Sequence, residues 1–247
     1  APEQGLPCLH LVQRVELVDR EPGSVVRWDE GNDFSVLYQT REPVRRLAYD
    51  AWSEVNRPRP ADLRGNQAPP ERFLHNSDYP LLLQHDLLPG TVERIEGVVG
   101  DAGTAYEKAV ALRNWLSGDA FVYTTNVPAL PRANPLDAFI MGVRRGHCEL
   151  FATALALALR SQGVPTRVVS GFRGAEWNAG DQSYTVRANM AHLWVEVLFP
   201  ETGWVIFDPS PRAEMMDRGM WQRFVSQLSA LRLKAEMTWY QEVVSFD

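Results

Sequence analysis

Apolar and polar positions alternate through the first part of the chain. Residues 10–19, "HLVQRVELVD", change character at almost every step, the pattern of a half-buried strand. Residues 34–40 and 44–55 continue in that style, separated by Glu-Pro and Gly-Asn punctuation. The pattern lapses over residues 56–92. There "NRPRPADLRGNQAPPERF" predicts an extended linker, and "LLLQHDLLPG" runs into a turn. Helical spacing begins in residues 91–117, where Thr104-Ala105-Tyr106-Glu107 reads as a capping box ahead of "KAVALRNWL". "FVYTT" starts like a strand and gives way to a proline-rich loop. "LDAFIMG" predicts a short helix or turn. A long apolar helix then begins at Cys148 and runs to about Ser161, with Gly163 as its stop and Pro165 just beyond. After it come four strand patterns, at residues 166–172, 183–187, 192–199 and 203–209. Residues 220–244 read as an amphipathic helix. This order predicts an α+β protein, with an N-terminal β-rich segment and linker over residues 1–90 and a second domain over residues 91–247.

Composition narrows the function classes. The chain has 247 residues, 45% of them apolar, enough to bury a sizeable core. Its net charge of −6 provides no basic field for nucleic acid or anionic lipid. Eight tryptophans suggest aromatic-lined clefts. The two cysteines, Cys8 and Cys148, are too few for a disulfide framework, although they leave a single bridge open. Neither C-x-x-C nor H-E-x-x-H occurs, and there is no glycine-rich phosphate loop, so the expectation is no metal and no cofactor.

The candidate chemistry lies in "RRGHCELFATALALALRSQGVPTRVVSGF". Cys148 sits at the first turn of the apolar helix rather than inside it. Unpaired N–H groups and the positive end of the helix dipole favour a thiolate there, and the same N–H groups can face a developing oxyanion. A thiolate nucleophile needs an imidazole partner, and the imidazole needs an orienting acid. Of five histidines, His192 opens a strand in the same folding block. Asp208 closes the next strand. The two share a face only if even positions pair with even ones, so Leu198 must lie opposite Trp204, or a bulge must intervene. Each residue also has an ordinary reading: a structural cysteine, a satisfied strand histidine, an aspartate forming a turn.

The Cys148 stretch, "AHLWVEV" and "GWVIFDPS" together resemble the core of the transglutaminase-like superfamily of papain-like cysteine enzymes, and more narrowly its bacterial TgpA-like branch. The resemblance covers about residues 104–212. It implies a papain-like core, a catalytic helix packed on an antiparallel sheet, and a triad of Cys148, His192 and Asp208. Leu193 stands where the family often has Ala, and Ser210 where it often has Thr. The resemblance also implies an extracytoplasmic, periplasmic position as the soluble part of a larger membrane protein, anchored by segments outside this chain.

Tyr123 is a candidate oxyanion donor through its hydroxyl. Trp194, Trp177 and Tyr184 are candidates for the walls of a substrate groove; Trp194 shares its strand face with His192. Arg144 and Arg145 add positive charge near the thiolate. The expected activity is acyl transfer at glutamine or other amide carbonyls of a protein or peptide substrate. The same triad would also serve a protease or amidase, and the scaffold without chemistry would be a peptide- or cell-wall-binding module.

Overall fold

The computed structural model describes residues 4–5, 12–17, 26–28, 37–39, 49–53, 58–65, 79–180 and 182–211. Cys8, His10, His75 and the amphipathic pattern of residues 220–244 fall outside these. The chain divides into two compact units, one of Ala1–Asp62 with Gly171–Ala191, the other of Leu63–Ser170 with His192–Asp247.

The first unit is built of short strands. β1 (Gln4–Gly5), β4 (Leu37–Gln39) and β3 (Val26–Trp28) form one antiparallel sheet, in that order. β2 (Val12–Leu17) pairs antiparallel with β5 (Tyr49–Ser53), with a register shift between Val12 and Arg14. Two of these strands lie inside the alternating stretches at residues 10–19 and 44–55. β9 (Glu176–Asn178) and β10 (Ser183–Thr185) make a hairpin in which Trp177 faces Tyr184.

Among the described residues, the second unit carries three long helices, with a short helical segment at residues 135–143 between the second and third. α1 (Pro89–Val99) starts at a proline, whose missing N–H costs nothing at a helix start. α2 (Ala105–Leu116) opens on the capping box. Thr104 Oγ1 accepts from the Glu107 N–H (3.2 Å), and Glu107 Oε2 accepts from the Thr104 N–H (3.2 Å). Ahead of α1, residues Tyr79–Leu83 form a 3₁₀ turn. α3 (Cys148–Ser161) ends as its sequence predicts. Gly163 adopts φ 72°, its N–H donates to Arg160 O, and the Val164 N–H donates to Leu159 O. These bonds form a Schellman cap, which glycine's left-handed freedom makes cheap.

α3 packs on the sheet β12-β11-β8. Here β8 is Thr166–Phe172, β11 is Ala191–Phe199 and β12 is Gly203–Phe207. Odd positions of β11 (Val195, Val197, Phe199) join Phe207 and the buried face of α3 in one core. Thr166 Oγ1 ties the sheet to the helix by donating to Ala156 O (3.2 Å). Burial on this scale, Phe139, Phe151, Leu155 and Leu159 all inaccessible, supplies most of the drive to fold. On the opposite face Arg167 pairs with the buried Glu196 (2.7 Å), and its guanidinium lies 4.0 Å from the centre of the Trp204 ring. A helix on an antiparallel sheet within a mixed chain is the α+β fold that the pattern predicts.

β6 (Val122–Tyr123), inside the strand-like start of "FVYTT", and β7 (Arg145–Gly146) form a two-residue parallel ladder; β7 is too short to show a period and was not legible in the sequence. β9 lies in a stretch that looks like loop. Among the described residues no helix is long and apolar enough to cross a membrane.

Candidate active site

Two anchored segments deliver Cys148. Upstream, Gly146 is paired with Tyr123 and its carbonyl accepts from the Thr124 N–H (2.7 Å). A Cβ at Gly146 would lie 2.5 Å from Leu150 Cδ1 and 3.3 Å from Phe139 Cε2, so a side chain there would require Leu150 to shift. Downstream, α3 is locked into the core. Cys148 is the first residue of α3, a free and half-buried thiol at the border of the main core cluster. It therefore sits among the N–H groups of the helix start.

His192 and Asp208 meet across the β11–β12 hairpin. Leu198 lies opposite Trp204 and Val195 opposite Phe207, so even pairs with even and no bulge is needed. A loop of Pro200, Glu201 and Thr202 closes the hairpin at Phe199–Gly203, with Gly203 at φ 79°. His192 Nε2 lies 2.9 Å from Asp208 Oδ2. The second carboxylate oxygen, Oδ1, accepts from the Ser210 N–H at 2.9 Å. Ser117 Oγ donates to Pro209 O (2.9 Å) and fastens this corner to the end of α2. The carboxylate is held from both sides. As acceptor it selects the tautomer with a proton on Nε2, which leaves Nδ1 as the basic nitrogen. His192 is 4% exposed, and Trp194 stacks on it with ring centres 6.3 Å apart.

The other candidates fall in two places. Tyr123 belongs to the second unit, beside Gly146, with its ring stacked on Phe151 (6.1 Å) one turn into α3. Trp177 and Tyr184 belong to the first unit, where they face each other with ring centres 4.8 Å apart and both largely exposed. The Arg144 guanidinium lies over the Phe121 ring (5.6 Å), and its Nε donates to Ile140 O, so Arg144 braces the turn before β7.

Two contacts escape sequence reasoning. His147 caps α3: its Nδ1 accepts from the Glu149 N–H (3.2 Å). The Ser210 N–H braces Asp208. Position gives some signal for the first, since His147 occupies the N-cap slot. None is available for the second, a main-chain bond. Among the described residues no cluster of three or more His, Cys, Asp or Glu side chains is placed to hold a metal.

The family model described as transglutaminase-like superfamily matches residues 93–209. The chain is 36% identical over 132 residues to the uncharacterized protein YebA of Bacillus subtilis, covering 51% of this chain and 18% of that protein. It is 37% identical over 114 residues to a protein-glutamine gamma-glutamyltransferase of Pseudomonas aeruginosa, covering 45% of this chain and 17% of that protein. The matched part thus spans under a fifth of either relative. Among solved structures, the periplasmic domain of TgpA from Pseudomonas aeruginosa, bound to ethylmercury, superposes with a TM-score of 0.58 at 24% identity. That match covers 85% of this chain and 72% of the other.

Proposed function

We propose that this chain, whose residues 93–209 match the transglutaminase-like superfamily model, is an acyltransferase acting on the carboxamide of protein glutamine through a thioester on Cys148. The observation that carries the proposal is the His192–Asp208 contact at 2.9 Å, in the same compact unit as a free thiol at a helix start. The relative named protein-glutamine gamma-glutamyltransferase supports the choice of glutamine.

In the proposed reaction His192 Nδ1 takes the proton from Cys148 Sγ. The thiolate attacks the carboxamide carbon, and the carbonyl electrons move onto oxygen. The N–H at the start of α3 and the Tyr123 hydroxyl stabilise that oxyanion. When the intermediate collapses, nitrogen leaves as ammonia, taking the proton from His192, and a thioester remains. A primary amine, such as a lysine, then attacks the thioester while His192 accepts its proton. The new amide forms and the thiol is regenerated. Asp208 fixes the ring's tautomer and stabilises the imidazolium of both halves. The reaction requires the thiol and the ring to meet; Leu193, next to His192, and Cys148 both border the same core cluster. Trp194 shields the imidazole from water.

The substrate is a protein or peptide. The likeness to a periplasmic domain suggests work outside the cytoplasmic membrane, with anchoring by segments beyond this chain. Incubation with a glutamine-bearing protein and a tagged primary amine tests the reaction. The expected result is tag incorporation with release of ammonia, abolished in Cys148→Ala. New peptide termini without incorporation would replace the transferase by a hydrolase. Neither product would reduce the domain to a binding module.

A further inference from the structure

We propose that His147 is a positioning residue for Cys148: its ring nitrogen, used as a helix cap, sets how the chain turns from β7 into the helix that begins with the nucleophile. The inference rests on the assignment of Cys148 as nucleophile. The joint is narrow. Gly146 is fixed by the β6–β7 ladder and packed closely against Leu150 and Phe139, and Cys148 is already helical. His147 alone lies between them, extended at φ −103° and ψ −178°.

Its imidazole bridges the turn. Nδ1 accepts from the Glu149 N–H at 3.2 Å, while Nε2 lies 3.9 Å from Glu149 Oε2. An accepting Nδ1 carries no proton, so the neutral ring has its proton on Nε2, facing the Glu149 carboxylate. The chain uses a ring here where serine, threonine, aspartate or asparagine would be the usual cap. The bond has a consequence for chemistry. It consumes the Glu149 N–H, the donor one residue beyond the sulfur, and leaves the Cys148 N–H as the first-turn donor nearest the reacting atoms. Loss of the cap would let the first turn fray, and the thiol and that N–H would lose their common orientation.

The test is the second-order rate of iodoacetamide alkylation, read at the Cys148 peptide by mass spectrometry so that Cys8 does not contribute. His147→Ala is expected to react about fivefold more slowly, the factor that corresponds to a lost N-cap. His147→Asn, whose side chain caps without a ring, is expected to restore the rate. Should His147→Ala not fold, His147→Gln takes its place as the poor cap. Wild-type reactivity in the poor-cap variant would overturn the proposal, as would an Asn variant as slow as the poor cap. His192→Ala, run in parallel, tests the triad separately: unchanged alkylation there would remove the imidazole from the mechanism whatever His147 does.

Discussion

Leu198 lies opposite Trp204 in the β11–β12 ladder, and that one pairing puts His192 and Asp208 on a common face. A slip of one residue would turn Asp208 to the other side of the hairpin. The contact between imidazole and carboxylate is therefore a property of a register, held by the three-residue loop before Gly203.

Asp208→Asn is expected to separate the carboxylate's chemistry from its architecture. The amide oxygen can still accept from the Ser210 N–H, so the corner near Pro209 stays in place. The amide cannot stabilise an imidazolium, and its NH₂ favours the wrong tautomer of His192. Turnover should fall by about a thousandfold or more with KM little changed. Steady-state kinetics of amine incorporation decide it; a variant within tenfold of wild type would remove Asp208 from the mechanism.

The buried pair behind the site makes a second prediction. Glu196 is 1% exposed, and Arg167 reaches it at 2.7 Å. Removing one partner breaks a buried charge pair. Glu196→Ala should cost about 3 to 5 kcal/mol in urea unfolding. The double change Arg167→Met with Glu196→Leu should recover most of that loss, because a matched apolar pair strands no charge. Equal destabilisation in the single and double variants would show that packing on Trp204, rather than charge pairing, carries the cost.

Acid should weaken the start of α2. Hydrogen bonds with Thr104 and Gly103, with Arg64 nearby, hold the Glu107 carboxyl below its ordinary range. A depressed carboxyl contributes stability above its unfolded-state value and loses that contribution as pH falls through its folded-state value. Thr104→Ala should cost about 1 kcal/mol at neutral pH. The gap between wild type and Glu107→Gln should be widest near neutrality and close below the carboxylate range. Urea midpoints for the three proteins at pH 7 and at acid pH measure both effects, and a gap that widens in acid would contradict the sign.

What the sequence revealed followed from periodicity and capping. The alternation around Val12–Leu17, the Thr104–Glu107 box and the Gly163 stop each encode geometry within a few neighbouring residues, so they can be read without the fold. The strand register was legible as a demand, since the parity of 192 and 208 fixes which pairings are admissible. The β6–β7 ladder was not, because two residues show no period and their partners lie more than twenty residues apart. Nor was the capping role of His147, which depends on the rotation of one ring. Trp177 and Tyr184 illustrate a third limit: exposed aromatic residues in sequence say nothing of which compact unit will hold them.

Tyr123 supplies the last prediction. Its ring is packed on Phe151, and its backbone is paired with the residue two before Cys148, so the phenyl group is needed for packing whatever the hydroxyl does. Tyr123→Phe keeps that ring and deletes only the oxygen. If the hydroxyl donates to the oxyanion, the loss appears in the transition state and not in the ground state. Turnover should fall by about a hundredfold while KM and the thermal midpoint stay near wild type. Alkylation of Cys148 by iodoacetamide, a displacement at carbon that develops no carbonyl oxyanion, should proceed at the wild-type rate in the same variant. A drop in alkylation equal to the drop in turnover would mean that Tyr123 acts on the thiol, through the packing of α3, and that the oxyanion is held by main-chain N–H groups.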